Sequence, residues 1–368
     1  MTTAAGSRRV GTGHRSWPWC RQCTGIALDL GSARTRAWTS GRRTILDVPT
    51  ATVPGDRATH PVQRGTIVDT PVTAPSAPPA TAADVDAHVR SALHLLSADP
   101  AVSRLGLRSD SLRHLADADT PTGADTARRV LRALLTARDP GPLPEGADRE
   151  LDALLGAERQ LRPAVVAREL PTIAEEFPGT SVRVPAEAVL WRGDITTLSA
   201  DAVVNAANSR LLGCFRPLHP CVDNALHNAA GPHLRDDCHT IVAGQGAAEP
   251  TGTAKITRGY HLPARHVLHT VGPVVRGRPH PRDAQALASC YRACLDLAAE
   301  VESIRTLAFC SVSTGVFGYP KEEAAPVALR TVAEWVAAHP GRFDRVVFTV
   351  FGDDDERAYR HALDAGRG

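Results

Sequence analysis

From about residue 187 to the C-terminus the chain alternates short apolar runs with stretches of helical spacing, and this alternation restricts the fold more than any other feature. Predicted strands fall at 187–191, 202–205, 266–271, 306–312 and 345–351, and predicted helices at 222–230, 234–244, 281–300, 321–338 and 354–365. The run Val346, Val347, Phe348, Thr349, Val350 is nearly continuous in apolar character. A strand of that kind belongs in the middle of a sheet covered on both faces. The expected architecture is therefore α/β, a three-layer α/β/α domain with a central mixed sheet, at 181–368.

Upstream the texture differs, and 368 residues exceed one ordinary domain. Residues 1–71 form a basic segment, in which positions 1–64 hold ten Arg and no Lys against Asp29, Asp47 and Asp56. Within it, 25–71 reads as a short strand-rich unit, with apolar runs at 25–31, 44–48 and 65–69. Residues 72–83, rich in Pro, Ala, Ser and Thr, read as a linker. The next stretch, 84–180, is expected to be a helical accessory region. Its helices at 85–96, 126–138 and 149–161 carry apolar stripes, Val130, Leu131, Leu134 and Leu135 on the second and Leu151, Leu154, Leu155 and Leu161 on the third. Nothing ligand-like accompanies these stripes, so a plain scaffold is expected there.

A net charge of +2 over this length gives no reason to expect a nucleic-acid or membrane partner. No apolar stretch is long enough to span a bilayer, and the first thirty residues lack the apolar core of a secretory signal. The expectation is a cytoplasmic monomer. Eight Cys in so long a chain do not form a disulfide framework and favour metal use in a reducing compartment. Cys20 and Cys23 make a single CxxC with no second pair before 214, which argues against a zinc ribbon.

The densest ligand cluster is Cys214, His219 and Cys221, inside eight residues that also include Pro217 and Pro220. Three protein ligands with an open position describe a catalytic zinc site, whereas structural sites close with four. Possible fourth ligands, His227, Cys238 and His239, fall on predicted helices further on. The prolines restrict the loop and lower the entropy lost on closing it around an ion. The same residues also suit a buried thiol and a satisfied histidine, and spacing alone leaves both readings open. A second candidate is the loop 313–320, which contains Gly315 and Gly318, follows a predicted strand and ends with Pro320 at a predicted helix start. Backbone N–H groups and a helix N-terminus there favour an anion.

Four ordered motifs, WRGDIT at 191–196, DAVVNAANS at 201–209, HTVGP at 269–273 and STGVFGYP at 313–320, closely resemble the macrodomain family. The set Cys214, His219, Cys221 with Asp223 to His227 is similar, more narrowly, to zinc-dependent bacterial macrodomains that remove ADP-ribose from proteins. The likeness begins near residue 125. Separately, 25–71 resembles a fragment of the first phosphate-binding region of bacterial actin-like, rod-shape-determining ATPases, without that family's partner motifs downstream.

The macrodomain resemblance implies Zn2+ held by Cys214, His219 and Cys221, on a loop longer than the glycine-rich one usual between Asn208 and Asp223. It implies ADP-ribose and a mono-ADP-ribosylated protein as ligand and substrate. Asp194 and Ile195, with Phe351 stacked on the base, would form the adenine pocket. Ser313, Thr314, Gly315, Val316, Phe317, Gly318 and Tyr319 would hold the pyrophosphate and neighbouring ribose. Asn208 and Asp223 would be the catalytic pair at the distal ribose, where water attacks the anomeric carbon. A helix cap is the ordinary alternative for Asp223 and a strand-end cap for Asp194. His227 and His269 are expected to be structural. The competing functional expectation is a module that binds ADP-ribose without cleaving it and uses zinc only to shape the pocket.

Overall fold

The computed structural model describes residues 36–38, 45–47, 80–117, 121–180 and 182–364. Strand β1 (Arg36–Trp38) pairs antiparallel with β2 (Ile45–Asp47). Cys20, Cys23 and the rest of the actin-like likeness at 25–71 lie outside the described residues.

Five helices follow: α1 (Ala82–Leu95), α2 (Pro100–Arg104), α3 (Ser109–Asp117), α4 (Pro121–Ala137) and α5 (Ala147–Leu161). Thr81 starts α1 through a capping box, accepting from the Asp84 N–H while the Asp84 carboxylate accepts from the Thr81 N–H. Val89, Leu93, Leu131, Leu134, Leu151 and Leu154 close these helices around a core of their own. Two of the five, α2 and α3, are absent from the sequence reading because five and nine residues are too few for a helical period to show. Leu161, expected on the α5 stripe, is 46% exposed at the last residue of the helix.

The main domain begins with β3 (Val165–Val166), α6 (Ile173–Glu176), β4 (Ala188–Arg192), β5 (Leu198–Ser199) and β6 (Ala202–Ala207). It continues through α7 (Val222–Ala230), α8 (Pro232–Gln245), β7 (Ala254–Arg258), β8 (His266–Val271) and α9 (Pro281–Ala299). It closes with β9 (Thr306–Phe309), α10 (Lys321–Ala338), β10 (Arg345–Val350) and α11 (Asp353–Asp364). Six strands form one mixed sheet in the order β4, β10, β9, β6, β8, β7, parallel throughout except for β7 against β8. Short β3 and β5 pair separately.

Strand alternation divides the faces. Along β8, His269 faces Cys238 of α8, whereas Thr270 meets Cys290 of α9. The expected layered α/β fold is therefore present. Of the six strands in the main sheet, β7 is the one absent from the sequence expectations, because Lys255 interrupts its apolar run, and the two-residue β3 and β5 are too short to show a period. Lys255 is nevertheless buried, its ammonium 2.9 Å from the Glu249 carboxylate. Among the described residues, no helix is long and apolar enough to cross a membrane.

Candidate active site

Strands β4, β10, β9 and β6 run parallel and adjacent, so their C-terminal ends share one edge of the sheet. Every sequence-predicted site residue lies just beyond one of those ends. Asp194 and Ile195 follow β4, Phe351 follows β10, residues 313–319 follow β9, and 208–223 follow β6. At ~4.8 Å per strand the four ends spread over roughly 14 Å. A ligand of open α/β sheets binds outside such strand ends.

The loop after β6 places Cys214, His219 and Cys221 together. Cys214 Sγ is 3.4 Å from His219 Nδ1, and the three ligand atoms lie within 4.8 Å of one another. Leu211, Phe215 and Leu218 adopt positive φ of 59, 52 and 58°, which bulky residues rarely do, and Gly213 adopts 83°. Such a backbone persists only where its surroundings impose it. A hydrogen bond between the thiols pulls Cys214 below the ordinary thiol range and pushes Cys221 far above it. Partial burial and the charge of Arg216 hold His219 below the usual imidazole range. Two sulfurs and an imidazole nitrogen within reach of one another make a donor set that suits zinc.

Asp223 stands on the first turn of α7 but does not cap it. The cap is Cys221, whose Sγ accepts from the Asn224 N–H at 3.4 Å. The Asp223 carboxylate accepts instead from Asn205 Nδ2 at 2.9 Å and from Asn208 Nδ2 at 3.4 Å, which sets aside the capping alternative. Burial raises Asp223 to about 6, opposed by the Asn205 hydrogen bond and the charge of Arg235. Asn208 also donates to Gly213 O at 2.9 Å and accepts from the Arg210 N–H at 3.0 Å, so it closes the loop as well as reaching Asp223.

In the loop after β9, Ser313 has φ of 66° and a buried hydroxyl against Gly272, where even a Cβ would lie 1.9 Å from its Oγ. Tyr319 N donates to Ser313 O at 3.0 Å and Gly318 N to Gly315 O at 3.0 Å. No described residue accepts from the N–H groups of Gly315, Val316 and Phe317, which are left as donors ahead of α10. The Thr314 hydroxyl is turned to Ser311 O, and the Tyr319 ring is packed in the main core. Those two shape the loop rather than offering side chains to a ligand. Phe317 packs on a small cluster with Leu211, Leu212 and Val271.

At the other end, Asp194 is both a cap and an ion-pair partner. One carboxylate oxygen accepts from Thr196 N at 2.9 Å, and the other from Arg162 Nη2 at 2.7 Å. Ile195 is buried. Phe351 is 77% exposed, so this aromatic is a free platform and not a core residue.

Behind Asp223 lies a second group of potential ligands, His227, Cys238 and His269, all buried. Both His269 ring nitrogens are already engaged, by Asn205 at 3.2 Å and Thr257 at 2.9 Å. Burial depresses His269 to about 3 and holds Cys238 far above its ordinary range, leaving a neutral polar layer. Asn205 belongs to that layer and to the site. Its place in the same run as Asn208 was the available signal. Arg162 and Arg235, which also bear on the site, carry no local signal because their partners are distant in sequence.

A model of the Macro domain family matches residues 204–328. The chain is 42% identical over 243 residues to a protein-ADP-ribose hydrolase of Treponema medium, covering 66% of this chain and 90% of that protein. It is 49% identical over 175 residues to a protein-ADP-ribose hydrolase of Staphylococcus aureus (strain MRSA252), covering 47% of this chain and 65% of the relative. Among solved structures, a Trypanosoma brucei macrodomain in complex with ADP-ribose is 31% identical, with a TM-score of 0.48, covering 68% of this chain and 97% of that one. A relative matched at 42% identity along 90% of its length decides the membership, and the chain belongs to the macrodomain family.

Proposed function

We propose that this protein removes mono-ADP-ribose from modified proteins by hydrolysing the bond at the distal ribose, with zinc as its cofactor. The observation that carries this reading is the order of the strand ends. Read across the sheet, they offer an exposed aromatic and a carboxylate, then a run of free N–H groups, then two amides, a buried carboxylate and a Cys-His-Cys loop. That sequence of chemistries matches base, pyrophosphate and distal ribose along one extended nucleotide sugar. The naming of the Treponema and Staphylococcus relatives as protein-ADP-ribose hydrolases supports the same substrate.

Phe351 would stack on adenine, with Asp194 and the Ile195 backbone at its edge. The N–H groups of Gly315, Val316 and Phe317 would bind the pyrophosphate, as backbone donors before a helix do. Asn208 would fix the distal ribose. Asp223, buried and oriented by Asn205 and Asn208, would accept a proton from the attacking water or hold a sugar hydroxyl. Cys214, His219 and Cys221 would hold zinc, which when bound supplies Lewis acidity and a template beside that ribose. Six free thiols among the described residues, two of them in the loop, suit a reducing cytoplasm.

The test is release of free ADP-ribose from a mono-ADP-ribosylated acceptor by the zinc-loaded protein. Release that disappears in Cys214→Ser, with the fold intact, supports the reading. Tight ADP-ribose binding with the acceptor left modified would make the protein a reader.

A further inference from the structure

We infer that the helical lead-in is a brace for the Cys214–Cys221 loop, with Arg235 and Asn224 as positioning residues that join the two. The inference rests on the metal reading above and gives the accessory helices a part in it.

Arg235 stands on α8 and is 6% exposed. Its Nε donates to Leu212 O at 2.8 Å, at the entrance to the loop. Its Nη1 donates to Leu135 O at 2.8 Å and to Arg138 O, both at the C-terminal end of α4. The same guanidinium lies over the Phe215 ring at 4.5 Å. One planar fork thus ties lead-in carbonyls to the residue pair that flanks Gly213 and Cys214. The lead-in end is itself fixed, because Arg138 donates to Asp99 at 2.9 Å and the Gly141 N–H to Asp236 of α8 at 2.8 Å.

A second tie reaches the other half of the loop. Thr136, buried on α4, donates to Asn224 Oδ1 at 3.2 Å. Asn228 Nδ2 lies 3.2 Å from the Thr136 hydroxyl and donates to Asn224 Oδ1 at 2.9 Å. Asn224 Nδ2 then donates to His219 O at 3.0 Å and Arg216 O at 3.4 Å. The carbonyl of one ligand residue is therefore held by an amide whose oxygen accepts from both a lead-in hydroxyl and Asn228.

The loop's own backbone explains why two ties are needed. Positive φ at Leu211, Phe215 and Leu218 disfavours the conformation that brings the three ligands together, so it must be imposed from outside. Groups that orient ligands set how firmly a metal is held.

The experiment uses the full-length protein loaded with zinc and follows transfer of the metal to a chromophoric chelator. Thr136→Val and Asn224→Ala are expected to release zinc about tenfold faster or more, since loss of the supports behind metal ligands costs about 10- to 100-fold in affinity. Thr136→Ser, which restores the hydroxyl, is expected to return the slow rate. Arg235→Lys keeps the charge but loses the fork and is also expected to release faster. Arg104→Ala, which removes the exposed pair with Asp139, serves as the lead-in control with an unchanged rate. A visible spectrum of the cobalt-substituted protein that shifts in Thr136→Val, and recovers in Thr136→Ser, would separate altered ligand geometry from general loosening. Wild-type release rates in Thr136→Val, Asn224→Ala and Arg235→Lys overturn the inference alone, as does equal acceleration in Arg104→Ala. A wild-type protein that takes up no zinc overturns the metal reading beneath it.

Discussion

Asp223 and its two amides are the densest chemistry at the sheet edge. The carboxylate is only 6% exposed, and Asn205 and Asn208 fix which lone pairs remain for a ligand. Asp223→Asn keeps the shape and removes the carboxylate, so if Asp223 is the proposed base, hydrolysis is expected to fall about 10²- to 10⁴-fold. ADP-ribose affinity, followed by calorimetry, should change only a few-fold. The Cys-His-Cys loop gives a second residue-level expectation. Cys214→Ser and His219→Ala should each lower zinc content from about one ion per chain toward zero, measured by elemental analysis, without abolishing the cooperative melt. As candidates, Cys214, His219, Cys221 and Asp223 stood out because local spacing and a family motif both mark them, and the structure brings the first three within 4.8 Å of one another. Asn205 shares the motif, yet its bond to Asp223 spans 18 positions and needed the fold to reveal it.

Among the elements, the parallel strands matter most, since their order and not their sequence positions sets which candidate residues stand side by side at the sheet edge. β10 comes last in the chain but sits second in the sheet, which brings Phe351 next to Asp194 at the end of β4. Phe351→Ala should weaken ADP-ribose binding by about 1 to 3 kcal/mol, the worth of a base stacked on an aromatic. Ribose 5-phosphate, which has no base, should bind the variant as it binds the wild type.

Docking of α5 carries a pH dependence of its own. His233 of α8 is raised to about 9, first by its hydrogen bond to Asp236 and then by Asp148 of α5, against the cost of burial. A histidine raised on folding contributes stability that is full below its unfolded value of 6.5 and fades as pH rises through 9. The pH-dependent part of the stability lost in His233→Ala should therefore be on the order of 1 kcal/mol near pH 6 and fade as pH rises through about 9, measured by urea unfolding across that range. The strands and long helices were readable from period and composition. β7 was not, because a buried lysine neutralised by Glu249 looks like a surface residue in sequence.

At the scale of the whole molecule, the lead-in and the macrodomain meet at the Cys214–Cys221 loop. The sequence presented residues 84–180 as a scaffold because their stripes hold only apolar residues. The groups that join the two regions, Thr136, Arg138 and Arg235, are polar residues scattered over 100 positions, so no local pattern announces them. Their effect is to fix a loop whose backbone would not hold its shape alone.

The most direct measurement incubates full-length protein of known zinc content with a mono-ADP-ribosylated acceptor and quantifies both free ADP-ribose and the acceptor that remains modified. The expected result is one ADP-ribose released per site cleared, with turnover that follows zinc content and fails in Asp223→Asn. Undiminished acceptor modification in the presence of bound zinc and saturating protein would contradict it.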